Sequence, residues 1–393
     1  EIGLVWFLKH NHLNDGRLFP RDLNALNSAI INIFEKFYSC EYFHIEQTDV
    51  NLFLEKIYEL GNDRELLFSH ILIAILKAKL QKLSTNNLPK YTGLPLNSWM
   101  PVLQKKSFIK EFWPAQEILG ESEVFRGRSA VIQLPTGAGK TKSTEIIIRS
   151  AFLSGRTNVA VIIAPFRALV NEISADFRQA FSGEENMKIN QLSDIPHISS
   201  EENRILIELL QGYLDSRAPI NTVVITTPEK LLYLLRQKPE LKEIIGLVIL
   251  DEGHQFDSGS RGITYELLLT ELKMSLNATT QFVLISAVIS NAEQIGRWLY
   301  GEKGIAIHSL ENLSTSKTVA YTNWQTEFGQ LHYIDPDMDN RSYFVPRLIK
   351  RLPLDLRGKE SKERFFPEKT PNDIASYLGI ILCQQHTTAI FCG

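Results

Sequence analysis

Apolar positions follow two different periods along this chain. From Asp22 to Phe37, Leu23, Leu26, Ile30, Ile33 and Phe37 recur at three- and four-residue steps, the spacing of one helix face. Asn62 followed by Glu65 has the form of a capping box, and the apolar stretch Leu66 to Leu83 after it reads as a second helix. Leu88 to Pro101 carries three prolines and a glycine and reads as a linker. From about Ser129 the pattern changes. Short apolar runs (Ala130 to Ile132, Val159 to Ile163, Val223 to Ile225, Leu247 to Leu250, Phe282 to Ile285) alternate with helical stretches. Strands buried on both faces read this way, and the alternation predicts an α/β fold with a parallel sheet flanked by helices. After Ser309 the helical period fades. Thr318 to Trp324 and Gly329 to Tyr333 read as strands of a smaller β element, Arg357 to Lys369 as a charged loop, then a helix Asp373 to Cys383 and a strand Thr388 to Phe391. The predicted organisation is a helical region over 1–100, an α/β domain over 101–309, a β-rich insertion over 310–370, and the start of a second α/β domain over 371–393.

Composition narrows this only a little. Of 393 residues, 44% are hydrophobic and 22% charged, ordinary for a globular protein, and the formal net charge of -3 advertises no global basic field. A local basic groove remains compatible with that total. The three cysteines, Cys40, Cys383 and Cys392, form no C-x-x-C pair and call for neither zinc nor a disulfide framework, which favours a reducing, cytoplasmic compartment. Neither a signal peptide nor a membrane-length apolar run is seen, so no membrane partner is expected. The chain opens on Glu1 instead of Met and closes on Gly393 directly after Ala389-Ile390-Phe391, and it reads as a piece of a longer chain.

Two motifs carry chemistry. Leu134-Pro135-Thr136-Gly137-Ala138-Gly139-Lys140-Thr141 lies between a predicted strand and a predicted helix, the setting of a Walker A loop. Its glycines let backbone N–H groups approach phosphates, and the helix N-terminus adds positive potential. Lys140 would reach the β- and γ-phosphates of ATP, and the Thr141 hydroxyl would ligate Mg²⁺. The general pattern has glycine where this chain has Leu134. About a hundred residues on, Leu247 to Leu250 runs into Asp251-Glu252-Gly253-His254. At a strand end two neighbouring carboxylates can serve one site: Asp251 would hold Mg²⁺ and Glu252 would orient and deprotonate the attacking water. His254, three positions after Asp251, joins this box as a further candidate.

These motifs, with the segments around them, resemble superfamily 2 helicases of the DExH type. Phe112-Trp113-Pro114-Ala115-Gln116 resembles the family's Q-type element, whose Gln116 would read the adenine edge. Ala164-Pro165-Phe166-Arg167-Ala168-Leu169 resembles motif Ia and Thr226-Thr227-Pro228-Glu229-Lys230-Leu231 motif Ib. Ser286-Ala287-Val288 stands where the family has Ser-Ala-Thr, motif III; Val288 removes a hydroxyl and puts in doubt the usual link between nucleotide state and the acidic box. The order holds over about residues 108–300. Arg261-Gly262 with Glu266, and Asn291 with Trp298-Leu299, further resemble the Ski2-like branch. The overall layout resembles helicase subunits of bacterial antiphage systems of the Hachiman type.

The resemblance implies a RecA-like fold for the α/β domain and ATP with Mg²⁺ as cofactors. It implies contact with the backbone of a single-stranded or tailed nucleic acid, DNA over RNA, through Arg167, Thr227 and the helix starting at Pro228. Coupling would run through Ser286 and Ala287. Three functions stay open: an ATP-dependent helicase or translocase in antiphage defence or DNA repair, a duplex-DNA translocase that does not unwind, and a nucleic-acid-sensing ATPase switch controlling a protein effector bound through the N-terminal region.

Overall fold

A computed structural model of the chain describes residues 63–135, 137–192, 199–214, 220–254, 259–289, 291–301, 305–308, 319–334, 342–356 and 361–391, with a few isolated positions besides. The helix expected over Asp22 to Phe37, Asn62 of the capping box, and Thr136 lie outside the described residues. The chain divides into two compact units, Glu1–Ser314 and Thr315–Gly393.

Among the described residues, the first unit holds helices α1 (Asp63–Gln81), α2 (Ser84–Thr92), α3 (Leu96–Leu103) and α4 (Pro114–Glu121) ahead of the sheet. The segment expected to be a linker is therefore helical. Gly93 closes α2 in the left-handed conformation (φ 74°), and Pro95 caps α3. Pro89 and Pro101 sit late in these short helices. Their lost hydrogen bonds are offset by burial: Leu88, Tyr91, Trp99, Val102 and Leu103 enter the same apolar core as Ile132 and Ile147.

Strands and helices then alternate: β1 (Ala130–Gln133), α5 (Lys140–Leu153), β2 (Val159–Ile163), α6 (Arg167–Ala180), β3 (Met187–Leu192), α7 (Ser200–Leu214), β4 (Asn221–Thr226), α8 (Pro228–Gln237), β5 (Leu247–Leu250), α9 (Gly259–Ser275), β6 (Gln281–Ser286), α10 (Ala292–Tyr300) and β7 (Ile305–His308). The seven strands form one sheet in the order β3-β4-β2-β5-β6-β1-β7, and every pairing in it is parallel. Successive residues of β1 feed opposite cores: Ile132 packs with Ile147 and Phe177 on one side, Val131 with Leu250 and Leu268 on the other. With both faces covered, every residue of β1, β2 and β5 is buried. A parallel sheet also sends every strand's carboxyl end to one edge, so the loops after β1, β2, β4, β5 and β6 emerge together there.

The second unit holds an antiparallel sheet of β8 (Val319–Gln325), β9 (Phe328–Ile334) and β10 (Ser342–Lys350), then a ribbon of β11 (Leu352–Leu354) with β12 (Arg364–Phe366) and a helix α11 (Pro371–Leu382). Part of the expected charged loop is thus β12. Thr388 to Phe391 is not a strand: it pairs with no other strand among the described residues, and an extended segment without such a neighbour leaves its backbone groups unpaired. Among the described residues no helix is long and apolar enough to cross a membrane.

Candidate functional site

The loop after β1 folds as its glycines require. Gly137 and Gly139 have φ of 82° and 84°, a region other residues enter at a cost, and α5 begins directly at Lys140. Pro135 and Ala138 are buried beneath the turn, where the Ala138 N–H donates to the Pro135 carbonyl at 3.2 Å. Thr141 lies exposed in the first turn of α5.

The end of β5 lies alongside. The Asp251 N–H donates to the Ile163 carbonyl at 2.9 Å, which ties the acidic box to β2. The chain then turns at Glu252, whose φ of 52° puts a side-chain-bearing residue in the left-handed region. That turn brings the Glu252 N–H to Asp251 Oδ1 at 3.0 Å and Glu252 Oε1 to Lys140 Nζ at 3.3 Å. A cavity of about 530 Å³ opens over these groups, lined by Trp113, Gly137, Lys140, Thr141, Asp251 and Glu252 among others. Burial, followed by the Glu252 charge, pushes the Asp251 carboxyl above its ordinary range, against the opposing pull of Lys140.

His254 and Ser286 meet at the ends of β5 and β6. His254 Nδ1 is 3.2 Å from Ser286 Oγ and also 3.2 Å from Glu252 Oε2. The Ser286 carbonyl accepts from the Leu134 N–H at 2.9 Å, and its hydroxyl oxygen accepts from the Val288 N–H at 3.3 Å. The box, the P-loop and the segment Ser286-Ala287-Val288 are thus in direct contact. The Val288 side chain itself is exposed.

Arg167 and Thr227 follow neighbouring strands, β2 and β4, at the same edge. Arg167 is exposed in the first turn of α6. Thr227 caps α8, with Pro228 as its first residue, and its hydroxyl accepts from the Lys230 N–H at 3.4 Å. Below this cap the buried Lys230 ammonium pairs with Glu202 of α7 at 2.8 Å, which anchors the helix end.

Gln116, expected at an adenine edge, is only 2% exposed and does not line the cavity. Its Nε2 donates to the Gly139 carbonyl at 3.3 Å and to Ser143 Oγ at 3.1 Å, and its Oε1 accepts from the Trp113 N–H at 2.7 Å. A buried amide has to satisfy its polar atoms, and here the P-loop and the start of α4 do so. Two residues not singled out in the sequence reach the site instead. Trp113, half exposed, lines the cavity beside Gly139. Tyr265 of α9, buried in the core, donates its hydroxyl to the Asp251 carbonyl at 3.2 Å.

Residues 114–295 match the DEAD/DEAH box helicase family. The chain is 30% identical to the Hachiman protein HamB of Bacillus cereus over 70% of its own length and 23% of that protein. It is 26% identical to the ATP-dependent DNA helicase Hel308 of Thermococcus kodakarensis over 76% of its length and 24% of that protein. Against Hel308 of Pyrobaculum calidifontis it is 28% identical over 52% of its length and 26% of that protein. The chain therefore spans about a quarter of the length of these relatives. The P-loop, the acidic box and the Ser-Ala-Val segment meet at one edge of a parallel sheet, and with this match residues 114–295 of the chain form a DEAD/DEAH box helicase domain.

Proposed function

We propose that this chain carries the ATP-hydrolysing half-site of a helicase or translocase that moves on nucleic acid. The observation that carries the reading is the 3.3 Å contact between Lys140 and Glu252 across a nucleotide-sized cavity. In the absence of nucleotide each neutralises the other. Triphosphate entering over Gly137 and Gly139 would draw Lys140 onto its terminal phosphates and leave Glu252 free to orient a water and take its proton. Trp113 offers an indole face to the base, and Gln116 holds the P-loop from behind.

Asp251 and Thr141 fit a hard divalent cation: both are oxygen donors on the same cavity, and the raised Asp251 carboxyl is one that a nearby positive charge would relieve. Bound Mg²⁺ would there neutralise charge building between the phosphates. Arg167, the Thr227 cap and the α8 N-terminus would hold successive phosphates of a single strand, without reading bases. His254 and Ser286, touching each other and the acidic box, would pass nucleotide state on to the segment Ser286-Ala287-Val288.

DNA is favoured over RNA because Hel308 relatives are named as DNA helicases, and similarity to a Hachiman protein favours antiphage defence with a protein effector as partner. The test is ATP hydrolysis by the full-length protein with single-stranded DNA, duplex DNA or RNA, read beside strand displacement. Stimulation by single-stranded DNA together with unwinding is the expected result. Hydrolysis indifferent to all three would refute the reading.

A further inference from the structure

The sheet of the second unit has one face closed and one open. On the closed face Ile349 is fully buried against Gly329, where an added Cβ would lie 2.8 Å from the Ile349 Cβ. The open face follows from the register. Tyr321 pairs with His332, Asn323 with Gln330, and Gln325 with Phe328, which also pairs with Lys350 of β10. Directly paired residues share a face, so these side chains form one continuous surface.

Its chemistry is specific. Tyr321 is 52% exposed and lies flat on the His332 ring, with centroids 4.9 Å apart and planes 9° apart. Asn323, Gln325 and Lys350 are exposed beside it. Between Val345 and Ile349 the β10 register slips, and inside that irregularity Arg347 takes φ 58°. A bulge re-aims a side chain, and a left-handed arginine costs backbone energy that regular pairing would avoid. The result is that the exposed Arg347 guanidinium sits 5.3 Å over the Phe328 ring, on the open face. Among the described side chains of that face, Arg347 and Lys350 bring positive charge and no carboxylate is present.

We propose that this face is a stacking surface for single-stranded nucleic acid. Bases would lie on the Tyr321–His332 stack, while Arg347 and Lys350 meet the phosphates and the amides bond to base edges or sugar. Flat aromatic rings flanked by cations and amides, without acids, are what an unpaired strand binds, whereas an apolar protein partner would leave both cations unanswered. The inference rests on the motor reading above and adds a second contact surface for the same ligand.

The test uses full-length protein, a fluorescein-labelled oligothymidylate, and a matching strand carrying iododeoxyuridine for photo-crosslinking. Tyr321→Ala should weaken binding about fivefold or more, the loss of one stacked base, and should abolish the crosslink to this sheet, while Tyr321→Phe keeps both. Arg347→Gln with Lys350→Gln should lower the slope of log affinity against log salt by about 1.4, two phosphates of a single strand. Basal hydrolysis without DNA should stay unchanged in all variants. Unchanged affinity and salt slope, or a variant that loses a protein partner but not DNA, overturns the proposal alone. Wild-type protein that ignores the oligonucleotide overturns the motor reading as well.

Discussion

Glu252→Gln separates the two roles assigned to this side chain. The substitution keeps shape and the left-handed backbone at φ 52° but removes the charge that faces Lys140 at 3.3 Å. At that distance the gross attraction is about 1 kcal/mol in bulk water and about 5 kcal/mol at an effective dielectric of ~20. The two side chains are 15% and 25% exposed, so solvent and side-chain ordering cancel most of this. The net contribution is about 1 kcal/mol or less. Because nucleotide has to take Lys140 away from Glu252, removing the competitor should leave ATP affinity equal or tighter by up to about fivefold. Turnover should move far more. Losing a general base costs at least ~10²-fold, or about 2.7 kcal/mol of barrier. The assay pairs a fluorescent ATP-analogue titration with phosphate release at saturating single-stranded DNA. Turnover within tenfold of wild type would refute the general-base role. Weaker nucleotide binding would refute the competition.

The sequence and the structure part company at particular residues for physical reasons. β2 and β5 read directly as continuous apolar runs, because helices cover both faces of the sheet there. β3 (Met187–Leu192) escapes the same reading: at the sheet edge it is half buried and its sequence alternates with Lys188, Asn190 and Gln191. β7, only partly buried, lies at the opposite edge. Pro89 and Pro101 signal a linker locally, but a proline is a local cost of about 3 kcal/mol that several fully buried side chains outweigh. At the site, glycine spacing and a strand ending in two carboxylates mark the P-loop and the acidic box, because backbone geometry there admits few other residues. Gln116 shows the limit of such marking. Its position in the motif is visible, but the direction of its amide depends on which buried groups need partners. Tyr265 carries no signal at all in the sequence, since its role arises only where α9 brings its hydroxyl to the Asp251 carbonyl just after β5.

Five further substitutions test the site. Lys140→Ala should abolish hydrolysis with a melting temperature near wild type, because its charge serves the cavity and not the core; unchanged turnover would end the P-loop assignment. Trp113→Ala should weaken ATP and GTP alike with no change in melting, whereas Gln116→Ala should lower both stability and affinity, at about 1–3 kcal/mol for the groups left unpaired. Loss of ATP-over-GTP preference in Gln116→Ala alone would return that amide to the adenine edge. Tyr265→Phe should reduce turnover with little change in ATP affinity, since the Asp251 carbonyl loses its donor; equal losses in both would make the hydroxyl merely structural. Asp251→Asn makes a prediction of the opposite sign for stability. Burial and then the Glu252 charge raise the Asp251 carboxyl in the folded state, and the Lys140 charge does not reverse them. A carboxyl whose folded value lies above its unfolded one binds more protons when folded, so ionising it costs stability as pH rises through the folded value. Asparagine keeps an oxygen for the Glu252 N–H but never ionises. Without nucleotide or Mg²⁺, Asp251→Asn should therefore melt higher than wild type at pH above that value. The gain should shrink toward zero as pH falls to the unfolded carboxyl range near ~3.9. Turnover should be lost at every pH, because the cation loses its ionised ligand. A variant that melts lower than wild type at neutral pH would show that the Lys140 attraction, and not burial, governs this carboxyl.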